Sequence, residues 1–411
     1  MTGSGGGALA GIRVVELAHI MAGPVCGLML ADMGADVVKV ERLPHGDGTR
    51  GFVPPDVGGE SAAFMMLNRG KRSVALDLRD SAGVELVRDL LADADVVIEN
   101  FRVGTMEKIG LGWDDLHVLN PGLVYCQITG FGRTGPLAAQ GGFDLIAQGY
   151  SGLMSVTGEG PGREPVKVGA PVTDITAGIL AAYGVVAALF SRERTGQGQR
   201  VDTSLLEAGI TQTFWQSAIT LASGQSPGPL GSAHPLSAPY QAFRTSDGWI
   251  NVGASNPSTW LGLTRAIDMP WLASDPRFAE NAGRMENLDA LVDLLAEPLA
   301  SRTSDDWLRR LGAEGVPAGP IASIGEMLEH PQTLARSMVV ETEHPRAGRV
   351  RALGSAVKMS GDSATVATTR PAPLLGQHTR EVLGEAGVSA GELDRLSAAG
   401  VLLSQDPRTD P

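Results

Sequence analysis

Residues 12–41, IRVVELAHIMAGPVCGLMLADMGADVVKVE, decide the fold. Residues 12–17 form a short β-branched run, residues 24–33 an apolar helix opened by Pro24, and residues 35–41 a second strand-like run. Strand, helix and strand in so short a span predict two parallel strands joined by a right-handed crossover. The alternation continues. Residues 73–78 (SVALDL), 95–99 (DVVIE) and 123–129 (LVYCQIT) read as further strands, with a helix over 82–92. A long apolar helix over 175–192 and a strand-like run at 200–203 follow. The pattern predicts an α/β fold whose mostly parallel sheet is covered by helices on both faces.

The texture changes at residues 223–239, SGQSPGPLGSAHPLSAP, too long for a simple connection and so a linker or a functional lid. Residues 240–253 read as a hairpin about Ser246-Asp247-Gly248, with helices near 259–267, 286–299 and 304–313. This block reads as a second, smaller α+β domain. The tail, 339–401, carries short strands and a helix over 379–386.

Composition narrows the function. The 411 residues include 33 basic and 46 acidic side chains, a net charge of −13, which argues against duplex nucleic acid as a partner. The two cysteines, Cys26 and Cys126, sit in apolar runs and read as buried thiols. Neither they nor the seven scattered histidines have metal-ligand spacing, so no metal site is expected. The first residues show no basic and apolar leader, and the apolar run 177–190 is shorter than the ~20 residues that span a bilayer. A soluble, cytoplasmic protein is the expectation.

Several motifs exclude functions. The turn after the first strand, Ala18-His-Ile-Met-Ala-Gly-Pro24, lacks the phosphate fingerprint of a dinucleotide-binding dehydrogenase, and the glycine run at 3–11 precedes the strand. Gly149-Tyr-Ser-Gly-Leu153 lacks the closing glycine of a serine nucleophile elbow. Positive charge gathers instead at the strand ends: Arg42 after the second strand, Arg69, Lys71 and Arg72 before the third, Arg102 and Lys108 after the fourth. Two readings stand for these cations, a small polyanionic ligand at the sheet edge or surface pairing with the surplus acids. Asp174, in Val168-Gly-Ala-Pro-Val-Thr-Asp174 directly before the long apolar helix, also has two readings. It is either a plain N-cap or a carboxylate nucleophile in poorly hydrated surroundings.

A set of strings then appears in a telling order. His19-Ile-Met-Ala-Gly-Pro24, Leu30-Ala-Asp-Met-Gly-Ala-Asp-Val-Val-Lys-Val-Glu41, Leu67-Asn-Arg-Gly-Lys-Arg-Ser73, Glu99-Asn-Phe-Arg102, Gly142-Phe-Asp144, Thr195-Gly-Gln-Gly-Gln-Arg-Val-Asp202, Gly315-Val-Pro-Ala-Gly-Pro-Ile321 and Leu375-Gly-Gln-His-Thr379 resemble class III coenzyme A transferases. The resemblance runs from about Gly11 to Val401. It implies a large Rossmann-like domain built from both ends, residues 1–222 and 331–411, a smaller central domain at 223–330, and an interlocked homodimer. It implies acyl-CoA and a carboxylic acid as substrates, coenzyme A as no permanently bound cofactor, and Asp174 as the nucleophile. CoA would be held by Met21, Ala22, Arg42, Leu67, Asn68, Gly70, Lys71, Asn100, Phe101 and Lys108. The expected chemistry runs through an aspartyl–acyl anhydride and an aspartyl-CoA thioester.

Departures from relatives of the same fold sharpen the expectation. The histidine of α-methylacyl-CoA racemases falls on Phe143 and their glutamate on Asn256, neither able to move a proton at neutral pH, so transferase is favoured over racemase. Met21 stands where formyl-CoA transferases carry glutamine, which argues against formyl and oxalyl substrates. The match looks closest to the succinyl-CoA:dicarboxylate branch. The acyl or acceptor pocket is expected among Arg50, Phe143, Asp144 and His234, with Arg50, His234 and Arg244 as candidates for a distal carboxylate and a structural role open for each.

Overall fold

The computed structural model describes residues 7–360 and 370–405; Gly3 to Gly6 of the N-terminal glycine run lie outside them. The chain divides into two compact units, one of Met1–Ser151, Gly169–Gln212 and Pro331–Pro411, the other of Gly152–Val168 and Thr213–His330. This differs from the expected boundaries at 222 and 223. Trp215, on helix Phe214–Ser223, meets His234 edge-on at 6.0 Å, and the Gly231 amide bonds the Gly158 carbonyl at 2.9 Å. Those contacts draw both segments into the smaller unit.

The larger unit is built on a seven-stranded sheet. Its strands are β1 (Arg13–Glu16), β2 (Asp36–Arg42), β3 (Arg72–Leu76), β4 (Val96–Glu99), β5 (Val124–Thr129), β6 (Arg200–Ser204) and β7 (Leu402–Leu403). The spatial order is β7-β3-β2-β1-β4-β5-β6, parallel throughout except that β7 runs antiparallel along β3. Apart from β7 this is the doubly wound order, in which the chain reverses direction between β1 and β4 and leaves a crevice outside their carboxyl ends. Valines and isoleucines fill the strands because both faces are covered. One apolar layer centres on Cys26, Leu30, Val37, Ile98 and Ala181, the other on Val40, Val74, Leu91 and Tyr125.

Three helices position the site: α1 (Ala22–Asp32), α2 (Asp144–Tyr150) and α3 (Val172–Thr195). Helix α3 starts three residues before the expected 175 and stops at Gly196, which takes φ +69° and donates its amide to the Arg192 carbonyl. At 24 residues it is long and apolar enough to cross a bilayer, unlike the shorter run read from the sequence. Here it packs against α1 and against β5 and β6. After the hairpin Val339–His344 and Gly348–Leu353, the chain returns to the sheet through His378, which accepts the Ser73 amide at Nδ1, and through helices Thr379–Glu385 and Ala390–Ala398. The second of these helices and β7 have no counterpart in the expected elements.

The smaller unit has an antiparallel three-stranded sheet, Ala318–Pro320 beside Trp249–Gly253 beside Tyr240–Arg244. The expected hairpin turn closes with the Thr245 amide on the Gly248 carbonyl. Helices Pro257–Ala266, Leu288–Ala300 and Ser304–Ala313 cover it around Trp260, Phe278, Leu295 and Trp307. Asn256 accepts the Thr259 amide as N-cap of the first.

Candidate functional site

At the reversal point between β1 and β4 the chain leaves both strands in irregular backbone, and Asn100 ties the two exits together. Its Oδ1 accepts the His19 amide at 2.9 Å and its Nδ2 donates to the His19 carbonyl at 2.8 Å. The rings of His19 and Phe101 lie 5.5 Å apart. The residue after His19, Ile20, has φ +68°, a left-handed conformation that costs a β-branched side chain free energy. Its amide is held by the Asp47 carboxylate at 3.1 Å. Met21 follows as the N-cap of α1 without a side-chain cap bond, and Ala22 begins the helix.

This corner touches α3 one turn from Asp174. A Cβ added to Gly178 would stand 2.6 Å from the Ala22 carbonyl oxygen, so only glycine lets the two backbones approach so closely. Gly178 is four residues beyond Asp174 on the same helical face. The structure thus brings Ala22, the residue after Met21, against α3 one turn beyond the aspartate.

Asp174 itself corrects one reading. It is not the N-cap of α3 but its third residue; Pro171 is the N-cap and offers no side-chain acceptor. The acceptor comes from Asp144, whose Oδ1 takes the Thr173 amide at 3.0 Å and the Thr173 hydroxyl at 2.8 Å, while Oδ2 accepts from Gln148 at 2.8 Å. Asp174 has no hydrogen-bond partner among the described residues. Burial, and then the Asp144 charge, push its carboxyl up to about 6. A half-buried, unbonded carboxylate near a backbone corner is disposed to attack an electrophile. Phe143, just before α2, is 74% exposed.

The cations divide into two kinds. Arg42, Arg102 and Lys108 are exposed, Arg42 with a bond of 3.4 Å to the Gly46 carbonyl. Arg69, Lys71 and Arg72 are buried and matched by acids from distant parts of the sequence. Arg69 pairs with Asp32, and Arg72 with Asp36, Glu381 and Glu385. Lys71 is fully buried, 2.8 Å from Glu16 and 2.9 Å from both the Pro24 carbonyl and Asn68. Burial lowers its ammonium to about 8 against the pull of Glu16. Its charge therefore faces α1 from beneath and is not presented to solvent, which corrects the expectation of an edge cation. Leu67 is half-buried on helix Ala62–Asn68, and Gly70 turns left-handed at φ +81° with its amide on the Arg370 carbonyl.

Arg50 is also committed inside the protein. It makes a two-pronged pair with Glu41, 2.7 Å on each side, and reaches the Pro373 carbonyl. Its structural reading is the one observed. His234 accepts the Leu236 amide at Nδ1 within a turn of the smaller unit, and Arg244 is exposed there. Sequence reasoning missed Glu16, Lys39 and Asp47, which knit the floor of the corner. The available signal was charge inside β-branched runs, as in Arg13-Val-Val-Glu16 and Asp36-Val-Val-Lys39.

Comparison with known proteins places these features in a family context. The sequence model of CoA-transferase family III matches residues 9–379. The chain is 41% identical to succinate–glutarate CoA-transferase of Agrobacterium fabrum, over 92% of this chain and 95% of that protein. It is 36% identical to succinyl-CoA:glutarate CoA-transferase of Mus musculus, over 96% of this chain and 90% of that protein. Among solved structures it is similar to a CaiB/BaiF family protein from Brucella suis, with a TM-score of 0.81 and 42% identity, covering 92% of this chain and 99% of the other.

Proposed function

The chain belongs to CoA-transferase family III, and from that premise we propose that it moves coenzyme A from succinyl-CoA, or a similar acyl-CoA, to a dicarboxylic acid through covalent intermediates on Asp174. The observation that carries this reading is the close approach of the Ala22 carbonyl to Gly178 of α3, one turn beyond a half-buried Asp174 that no side chain among the described residues bonds. In this reading an Asp174 oxygen attacks the thioester carbonyl, the C–S bond breaks, and an aspartyl–acyl anhydride forms as CoA thiolate leaves. The thiolate then attacks the aspartyl carbonyl, giving an aspartyl-CoA thioester and freeing the donor carboxylate. The acceptor carboxylate attacks that thioester and displaces the thiolate. The thiolate finally attacks the acceptor's acyl carbon, and Asp174 is restored.

Met21, Ala22, Arg42, Leu67, Asn68, Gly70, Asn100, Phe101 and Lys108 hold CoA in this proposal. Lys71 acts from beneath, through Glu16 and the Pro24 carbonyl. Arg50, tied to Glu41 within the larger unit, is not free to take a distal carboxylate. Both intermediates hydrolyse in water, so the site must close during turnover. The free, buried Cys26 and Cys126 suit a reducing, cytoplasmic setting.

A homodimer is part of the same proposal. Helix α3 presents Ile179, Tyr183, Val186 and Phe190 at helical spacing on one exposed face, and helix Phe214–Ser223 has no buried residue. A second copy is the proposed cover. Sedimentation should find a dimer in the wild type and dissociation in Tyr183→Glu/Phe190→Glu; a wild-type monomer would overturn it.

The deciding experiment for the chemistry is to incubate the protein with succinyl-CoA and weigh the peptide containing Asp174. An acyl or CoA mass on that aspartate is expected. Absence of any adduct across a range of acyl-CoAs, together with full activity in Asp174→Ala, overturns the reading.

A further inference from the structure

Beneath the Met21–Ala22 corner lies a chain of buried charges that the reaction does not touch. Lys39 sits at the centre, fully buried, 2.8 Å from Glu16 and 2.8 Å from Asp47, and donates to the Ala18 carbonyl at 2.8 Å. Glu16 reaches in turn to Lys71, which bonds the Pro24 carbonyl in the first turn of α1. Gly27 leaves room for this contact, since a Cβ there would fall 1.9 Å from Glu16 Oε2. On the other side the Asp47 amide donates to Glu41, which Arg50 and Ser73 also bond. Buried charges so thoroughly matched form a stiff unit, because removing any partner leaves another charge uncompensated.

Asp47 is the member that faces the corner. Its two oxygens take the Ile20 amide at 3.1 and 3.3 Å, and Oδ1 also takes the amide and hydroxyl of Thr49. Ile20 is one of three non-glycine residues with positive φ among the described residues, and it immediately precedes Met21 and Ala22. A β-branched residue stays left-handed only where its surroundings over-determine it. The Asp47 carboxylate, fixed by Lys39, supplies that constraint from one side, and Asn100 supplies it from the other by holding His19.

We propose that Asp47 is a positioning residue for CoA transfer, holding Ile20 in its left-handed turn through the Lys39 pair so that the Met21–Ala22 backbone is set for the thioester. The inference rests on the functional reading above and adds a residue that touches neither substrate nor Asp174. A role confined to folding would lower stability alone. A positioning role weakens CoA binding, and the loss depends on what stands at position 20.

The test is calorimetric titration of CoA into the wild type, Asp47→Ala, Ile20→Gly and the double variant, with amide exchange over residues 18–25 followed in the absence of ligand. Glycine carries no left-handed penalty. Asp47→Ala is expected to raise the Kd for CoA about tenfold when Ile20 is present and threefold or less in the Ile20→Gly background. Exchange over 18–25 should quicken at least tenfold in Asp47→Ala. Where that variant does not fold, Asp47→Asn, which keeps an acceptor oxygen but drops the charge, should give a smaller loss with the same dependence on position 20. A Kd within twofold of wild type with unchanged exchange, or a loss equal in both backgrounds, overturns the positioning role. A wild-type protein that binds no CoA overturns the functional reading, and with it any ligand-directed role for Asp47.

Discussion

Asp144 Oδ1 accepts two hydrogen bonds from Thr173, one from the amide at 3.0 Å and one from the hydroxyl at 2.8 Å. A side chain on α2 thereby caps α3, whose own N-cap is a proline. The carboxylate that performs this capping also places its charge beside Asp174. One acid is fully engaged, the other left without a partner, and the pair explains both the reach of the helix and the basicity of its third residue.

The pH–rate profile should report this arrangement. Asp174 must be ionised to attack, and burial followed by Asp144 raises its carboxyl to about 6. The expected kcat/KM rises with pH, has a midpoint near 6 and levels above 7. Asp144→Asn can keep both bonds to Thr173 while losing the charge, so its midpoint should move down. A wild-type midpoint below pH 5 would contradict the assignment.

The same residue should cost stability at neutral pH. A carboxyl whose folded pKa is raised binds its proton more tightly in the native state, so its contribution is fully present below the unfolded value near 4 and is lost as pH rises through about 6. Asp174→Asn should therefore melt higher than wild type at pH 7.5, by a few degrees, and show little difference at pH 4. Transfer activity should fall at least a thousandfold in the same variant. Calorimetric melts at the two pH values, beside a thioester-exchange assay, check it.

Gly178→Ala tests the helix contact. The new methyl would meet the Ala22 carbonyl at 2.6 Å and the Val25 side chain at 2.7 Å, and a backbone oxygen and a Cβ have little room to give way. Overpacking of this kind costs about 1–3 kcal/mol. Because the displaced atoms belong to the proposed thioester corner, the KM for the acyl-CoA donor should also rise several-fold. Wild-type KM in a destabilised variant would separate the corner from catalysis.

Glu99 is nearly fully buried in β4, with Oε2 on the Phe101 amide, and burial raises its carboxyl to about 8. By the same sign it favours the folded state at low pH, and that contribution is lost progressively between about 4.5 and 8. Glu99→Gln imitates the protonated form. The stability difference between variant and wild type should grow across that window and stay constant above it, as read from urea midpoints at pH 5, 7 and 9.

The parallel sheet was legible because its strands are short β-branched runs separated by helical ones, and residues 12–41 alone carry the handedness and the first crossover. Asp174 was legible as the residue at the head of a long apolar helix, but its place inside the first turn was not, since the cap comes from Asp144, thirty residues earlier. The cations near β3 show the limit most clearly. Arg69, Lys71 and Arg72 stand together in the sequence, whereas their partners Asp32, Glu16, Asp36, Glu381 and Glu385 are scattered across it. Charge counts cannot tell a lysine aimed at solvent from one aimed at a buried glutamate. The left-handed Ile20 left no local mark, because isoleucine is the wrong residue for that conformation and is held there by distant groups.

The pairing of β7 with β3, and of His378 with Ser73 across 305 residues, bears on how the protein is made. The ribosome delivers the whole smaller unit before it delivers the strand that completes the larger sheet. Until then β3 keeps an open edge, a ready partner for any other extended chain. Long-range closure of this kind is slow and passes through exposed intermediates. Newly synthesised chains should thus be most prone to aggregate in the interval between the end of the smaller unit and the arrival of Leu402, and a chaperone would matter most in that interval.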